Sequence, residues 1–97
     1  MSSPLNPITL AQRATRSDDA LFQEVGGEAV LLDLASERYF GLDPVGTRIW
    51  TLLADDDRLQ SICDTLCAEY DAEPARIRDD LLALVTQLAE AGLVKVD

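Results

Sequence analysis

Two hydrophobic rhythms divide the chain. Between Leu21 and Leu42 the apolar residues come in short runs broken by turn residues. From Val45 onward they recur at three- and four-residue spacing. Residues 21–25 read as a strand, and Gly26-Gly27 is a hairpin turn signal. Residues 29–34 are mostly apolar, which suits the middle strand of a small sheet. Ala35-Ser36-Glu37 is a second turn and residues 38–42 a third strand. Strands joined in sequence by tight turns predict an antiparallel meander.

Asp43-Pro44 then starts a helix. Asp accepts from free backbone N–H groups, and Pro suits the first helical position. Val45, Ile49, Trp50, Leu52 and Leu53 fall on one broad face, and Gly46 early in the helix marks close packing. Asp55-Asp56-Asp57 ends it and offers a cap to the next helix, whose apolar positions are Leu59, Ile62, Cys63, Leu66, Cys67 and Tyr70. A third helix is predicted over 74–91, with Ile77, Leu81, Leu84, Val85 and Leu88 as its core stripe. Gly92 is its left-handed cap, and Leu93-Val94 fold back on the core.

The predicted class is therefore α+β: a three-stranded antiparallel sheet followed by three helices, like a winged helix-turn-helix with its wing placed first. Residues 1–19 are polar and carry Pro4 and Pro7, so they are expected to form a flexible N-terminal tail with an extended piece near Ile8 and Leu10. Residues 20–97 form the domain. A chain of 97 residues supports one modest core.

Composition narrows the function. Eighteen acidic residues face eight basic ones, a net charge of −10. Such a chain is repelled by phosphate backbones and by anionic lipid. The outer faces of the second and third helices carry Arg58, Arg76 and Arg78 against Glu69, Asp71, Glu73, Asp79, Asp80 and Glu90, so neither is a basic recognition face. No apolar run approaches the length of a membrane span, and the first residues lack the basic-then-apolar order of a secretory signal. A cytoplasmic protein is expected, with neither nucleic acid nor membrane as partner.

Catalytic chemistry finds little here. The chain has no histidine, which excludes Ser-His and Cys-His pairs. Cys63 and Cys67 stand four apart on a helix, where they read as small core residues; two thiols without histidine make a poor zinc site. Asp79 and Asp80 are adjacent and diverge, the Asp55–Asp57 run lacks a calcium-loop pattern, and no glycine-rich phosphate loop occurs. The expectation is a protein that is not an enzyme and holds no cofactor or metal.

A meander of three strands has two open edges, and the third strand is weakly protected. An extended peptide can pair with it, drawing affinity from main-chain hydrogen bonds and specificity from side-chain pockets. Alternation puts Phe40 and Leu42 inward and Tyr39 and Gly41 outward. The same edge could instead join two copies, giving an edge-paired or swapped dimer in place of a monomer. A winged-helix DNA binder and an unrelated protein–protein module are the competing readings.

The stretch GGEAVLLDLASERYFGLDPVGTRIWTLL, followed by DDLLALVTQLAEAGLV, resembles the PqqD-like family over roughly residues 21–95. The resemblance rests on VLLD at 30–33, RYFGL at 38–42, the glycine and Ile-Trp pair at 46–50, and a terminal helix running from Asp80 to Gly92-Leu93. Asp43 stands where the family uses Asn, and both residues cap a helix. This resemblance implies a free-standing recognition element for ribosomally made, modified peptides (RiPPs). Such a domain binds the leader segment of a precursor peptide as an added strand on the third-strand edge, against the third helix. It then presents the peptide to a separate enzyme: a radical SAM enzyme in the namesake pathway to pyrroloquinoline quinone, or a leader protease in lasso-peptide systems. The wording here is nearer the lasso-like branch. Carried onto this chain, the peptide-binding residues are Arg38, Tyr39, Phe40, Gly41 and Leu42 on the strand and Arg76, Asp80, Ala83, Leu84 and Gln87 on the helix.

Overall fold

A computed structural model describes residues 8–26 and 28–97. The elements run β1 (Ala14–Arg16), β2 (Ala20–Val25), β3 (Glu28–Asp33), β4 (Arg38–Leu42), α1 (Pro44–Leu53), α2 (Leu59–Glu69), α3 (Pro74–Glu90) and β5 (Val94–Val96). β2, β3 and β4 form an antiparallel sheet in that order, as the meander pattern predicts. The three helices follow, which makes the fold α+β. No helix among the described residues is long and apolar enough to cross a membrane.

Local chemistry sets the turns. Gly26, at φ 60°, begins the connection between Val25 and its partner Glu28; residue 27 lies outside the described residues. The β3–β4 turn is built on Asp33. Its carboxylate accepts from the Ala35 N–H at 3.2 Å and the Ser36 hydroxyl at 2.8 Å, and its carbonyl accepts from the Glu37 N–H at 2.7 Å. Glu37 closes the turn with φ 60°, a left-handed conformation that costs a residue with a Cβ about 1 kcal/mol.

Register decides the two faces of the sheet. Leu31 opposite Phe22 and Phe40, and Ala29 opposite Leu42, point to the helices. Leu31 is fully buried and Phe40 half-buried. Leu32 opposite Leu21 and Tyr39, and Val30 opposite Gly41, turn away from them. Ile49, Leu59, Ile62, Leu66, Leu81, Val85 and Leu88 complete the core from the helical side.

The expected flexible tail over residues 1–19 needs correction. Residues 1–7 lie outside the described residues, but Ala14–Arg16 form a strand paired antiparallel with β5. The segment is held along its length. Ala14 N–H donates to the Asp57 carbonyl at 2.8 Å, Ser17 N–H to Leu93 at 2.8 Å, and Arg13 and Asp97 exchange both backbone bonds. Ala14 is completely buried, and the Arg16 guanidinium stacks 4.9 Å over the Trp50 ring. Ile8 and Leu10 pack against the core as partly buried side chains rather than as an extended piece. The polar sequence gave no sign of this because a three-residue strand with one buried alanine has almost no hydrophobic signature.

Its partner β5 is delivered by the end of α3. Leu93 N–H donates to the Leu88 carbonyl at 2.9 Å and Gly92 N–H to Ala89 at 3.1 Å, with Gly92 at φ 78°. This is the Schellman arrangement, and the buried Leu88 and Leu93 supply its apolar contact.

Candidate functional site

β3 is paired on both sides, so β4 offers an open edge among the described residues. Beyond Leu42 the chain turns into α1 through Asp43, whose carboxylate accepts from the Gly46 N–H at 2.6 Å, with Pro44 in the first turn. This cap fixes the angle at which α1 leaves the strand. It also places Gly46 beneath the strand end and against α3.

A Cβ on Gly46 would stand 3.2 Å from Leu42 Cδ2 and 3.5 Å from Leu84 Cδ2. The missing side chain therefore lets β4 and α3 approach over α1. A groove of about 330 Å³ lies here, walled by Asp80, Ala83, Leu84 and Gln87 of α3 and floored by Val45, Gly46 and Ile49 of α1. Asp43 joins it to a second, open concavity at the end of the sheet, which takes in Gly41 and Leu42.

The structure thus brings together most of the residues expected from the sequence. Gly41 and Leu42 lie at the groove's strand end, and Asp80, Ala83, Leu84 and Gln87 along its helix wall. Arg76 lines a neighbouring apolar cavity one turn earlier. Arg38, Tyr39 and Phe40 stand farther back along β4, with Tyr39 72% exposed on the outer face of the sheet. The sequence reading missed the floor. Helical periodicity puts Val45 and Ile49 on the buried face of α1, and only Gly46, which marks close packing inside a helix, signals that the surface dips there.

Electrostatics favour a polymer of amino acids over one of phosphates. On α3, Arg76 lies 3.9 Å from Asp80 and Arg78 donates to Asp79 at 3.1 Å, so both arginines are already matched by acids. The Arg76–Asp80 pair is more than 60% exposed and contributes little to stability. On the far side, Arg48 of α1 donates to Glu69 of α2 through two hydrogen bonds, one of 2.8 Å, which holds the Glu69 carboxyl below the usual range. Burial pushes the Cys63 thiol up, the opposite of what a nucleophile needs. No group of metal-binding side chains occurs among the described residues.

An open strand edge beside a groove lined by both aliphatic and acidic side chains is the arrangement of small domains that capture extended peptides. Residues 28–94 match the family described as coenzyme PQQ synthesis protein D (PqqD), and the chain belongs to that family. No curated protein matches it. Two solved structures are similar. One is described as TbiB1 in complex with the TbiA(beta) leader peptide, at 38% identity and a TM-score of 0.76, covering 84% of this chain and 94% of that one. The other is a lasso peptide synthetase B1 complexed with the leader peptide, at 26% identity and a TM-score of 0.76, covering 86% and 98%.

Proposed function

We propose that this protein captures the leader segment of a ribosomally made precursor peptide and presents it to a separate modifying enzyme or leader protease. The leader adds as a strand to β4 and lays alternate side chains into the groove between α1 and α3. The observation that carries this reading is the groove itself: it opens beside an unpaired strand edge, in a chain whose similar structures are leader-peptide complexes.

Magnitudes explain why the groove matters. Each added main-chain hydrogen bond nets about 0.5–1.5 kcal/mol. Association costs about 4 kcal/mol or more before side-chain ordering is counted. Four or five strand bonds alone therefore give weak capture, and apolar contact with Val45, Leu42 and Leu84 must supply the remainder. Arg76 and Asp80 set the register of the peptide by charge, and Tyr39 contacts it from the rim. The protein acts as an adaptor without chemistry of its own, working beside a leader protease of the lasso-peptide type or a radical SAM enzyme. Residues 20–97 are the recognition unit, with β1 as its brace.

An isotope-edited NMR titration with the TbiA(beta) leader peptide tests this. The expected shifts fall on 38–42 and 80–87, with micromolar affinity. Absence of binding at about 100 μM, or shifts confined to β2, would overturn the reading for that leader.

A further inference from the structure

We propose that Cys63 and Cys67 of α2 form a dithiol site for trivalent organoarsenicals, soft electrophiles that take two thiols and leave no charge behind. The site is separate from the strand edge and the groove, and it stands whether or not the chain binds a leader.

Both cysteines are free, and they stand four residues apart on one helix. Their side chains therefore share a face, with Cβ atoms about 5–6 Å apart. The two side chains interact directly. A disulfide needs Cβ atoms about 3.5–4.5 Å apart, so this pair cannot close on itself without bending the helix. One larger atom can bridge it. With bonds to sulfur of about 2.3 Å, the length found for zinc, a bridging atom joins sulfurs up to about 4.6 Å apart.

Charge selects that atom. Burial, then Cys67 and Asp64, push the Cys63 thiol up, and only Arg78 opposes them. Zinc needs four ligands, and copper(I) on two thiolates leaves a negative charge beside Asp64 in a chain of net charge −10. Cys63 is 5% exposed, so that charge would be buried. Arsenic(III) avoids it. Phenylarsonous acid, the hydrated form of phenylarsine oxide, exchanges two As–O bonds for two As–S bonds. The two thiol protons leave with the two oxygens as water. Arsenic stays trivalent, no oxidant is needed and the product is neutral.

Access runs through Cys67, which is half-buried, with Asp64, Ala68 and Asp71 exposed around it. Cys67 makes the first bond from solvent. The second bond, to Cys63, then forms within one molecule, where effective concentration favours closure. The bridge pins one turn of α2 and leaves Ile62 and Leu66 in the core.

Phenylarsine oxide, added to the folded chain, is the probe. Native mass spectrometry should give a single adduct, lighter by two waters than protein plus phenylarsonous acid, and excess 1,2-ethanedithiol should reverse it. Cys63→Ala and Cys67→Ala should each bind on the order of a hundredfold more weakly. If Cys63→Ala folds poorly, Cys67→Ala carries the comparison, because its side chain is half-buried. The thermal midpoint of the wild type should rise on binding, because the helix holds the thiols together and the unfolded chain does not. An adduct that keeps a hydroxyl on arsenic uses one thiol only and overturns the site. So does equal affinity for wild type and a folded single variant, or a thermal midpoint that does not rise.

Discussion

Leu42 of β4 and Leu84 of α3 converge on Gly46, approaching within 3.2 and 3.5 Å of where its Cβ would stand. The absent side chain is what gives the groove its depth. In a helix interior Gly→Ala ordinarily stabilises by about 1 kcal/mol. Here the added methyl also meets Asp43 Oδ1 at 3.1 Å, so the helix cap must shift. Gly46→Ala should leave stability within about 1 kcal/mol of wild type while weakening the TbiA(beta) leader several-fold, measured by fluorescence anisotropy. Unchanged affinity would remove this floor from the binding site.

Alternation along β4 gives a paired test. Neighbouring residues send their N–H groups to opposite sides of a strand, one toward β3 and the next toward the open edge. Phe40→Pro and Gly41→Pro should therefore behave differently. One should lose leader binding while keeping its helical circular dichroism. The other should lose a β3–β4 bond and about 2–3 kcal/mol of stability, read by urea unfolding. Leader binding retained by a folded variant of both kinds would argue against strand addition at β4.

Glu37 occupies the left-handed region at φ 60°. Glycine adopts that conformation without the steric cost of a Cβ, at some cost in unfolded-chain entropy. Glu37→Gly should raise stability by about 0.5–1 kcal/mol, visible as a higher urea midpoint. Leader affinity should not change, because the turn lies at the far end of β4 from the groove.

β1 should be more than an appendage. Arg16 stacks on Trp50 and donates to its carbonyl at 3.4 Å. Arg16→Ala should cost about 1 kcal/mol and alter Trp50 fluorescence in the folded state. Ala14→Asp, which buries a charge at a position with no exposure, should cost at least about 3 kcal/mol. Wild-type stability in Ala14→Asp would mean that the β1–β5 pair does not brace the fold.

Acid should weaken the protein through two carboxylates. The Ser61 hydroxyl, then the Arg58 N–H and guanidinium, hold Asp56 well below the usual carboxylate range. Arg48 does the same for Glu69. A carboxyl depressed in the folded state binds its proton more readily once unfolded. Its contribution is thus complete at neutral pH, begins to fade below about 4, and is lost as pH falls on through the lower folded-state value. The urea midpoint should drop between pH 7 and pH 3, and Asp56→Asn should flatten part of that slope. Equal slopes for wild type and Asp56→Asn would assign the acid sensitivity elsewhere.

Much of this molecule was legible in its residues. The alternating runs and Gly-containing turn fixed β2, β3 and β4, because a strand's faces follow directly from a period of two. Asp43-Pro44 and Gly92 marked helix ends because capping chemistry is local. Gly46 announced a close approach without saying to what. The strand-and-helix residues Gly41, Leu42, Asp80, Ala83, Leu84 and Gln87 followed from periodicity joined to the family resemblance.

Other features needed the folded chain. β1 pairs with β5 across nearly the whole sequence, and a long-range pairing of three residues leaves no local pattern to read. The groove floor is made of Val45, Gly46 and Ile49, residues that local rules assign to a helix's buried face. Only the angle between α1 and α3 leaves part of that face open. The apolar pocket likewise joins Val45, Tyr70 and Leu81 from separate helices or their connection. Sequence determined the elements and their inward faces, because those depend on residues a few positions apart. Tertiary structure decided where two inward faces fail to meet, and a cavity exists only in that mismatch.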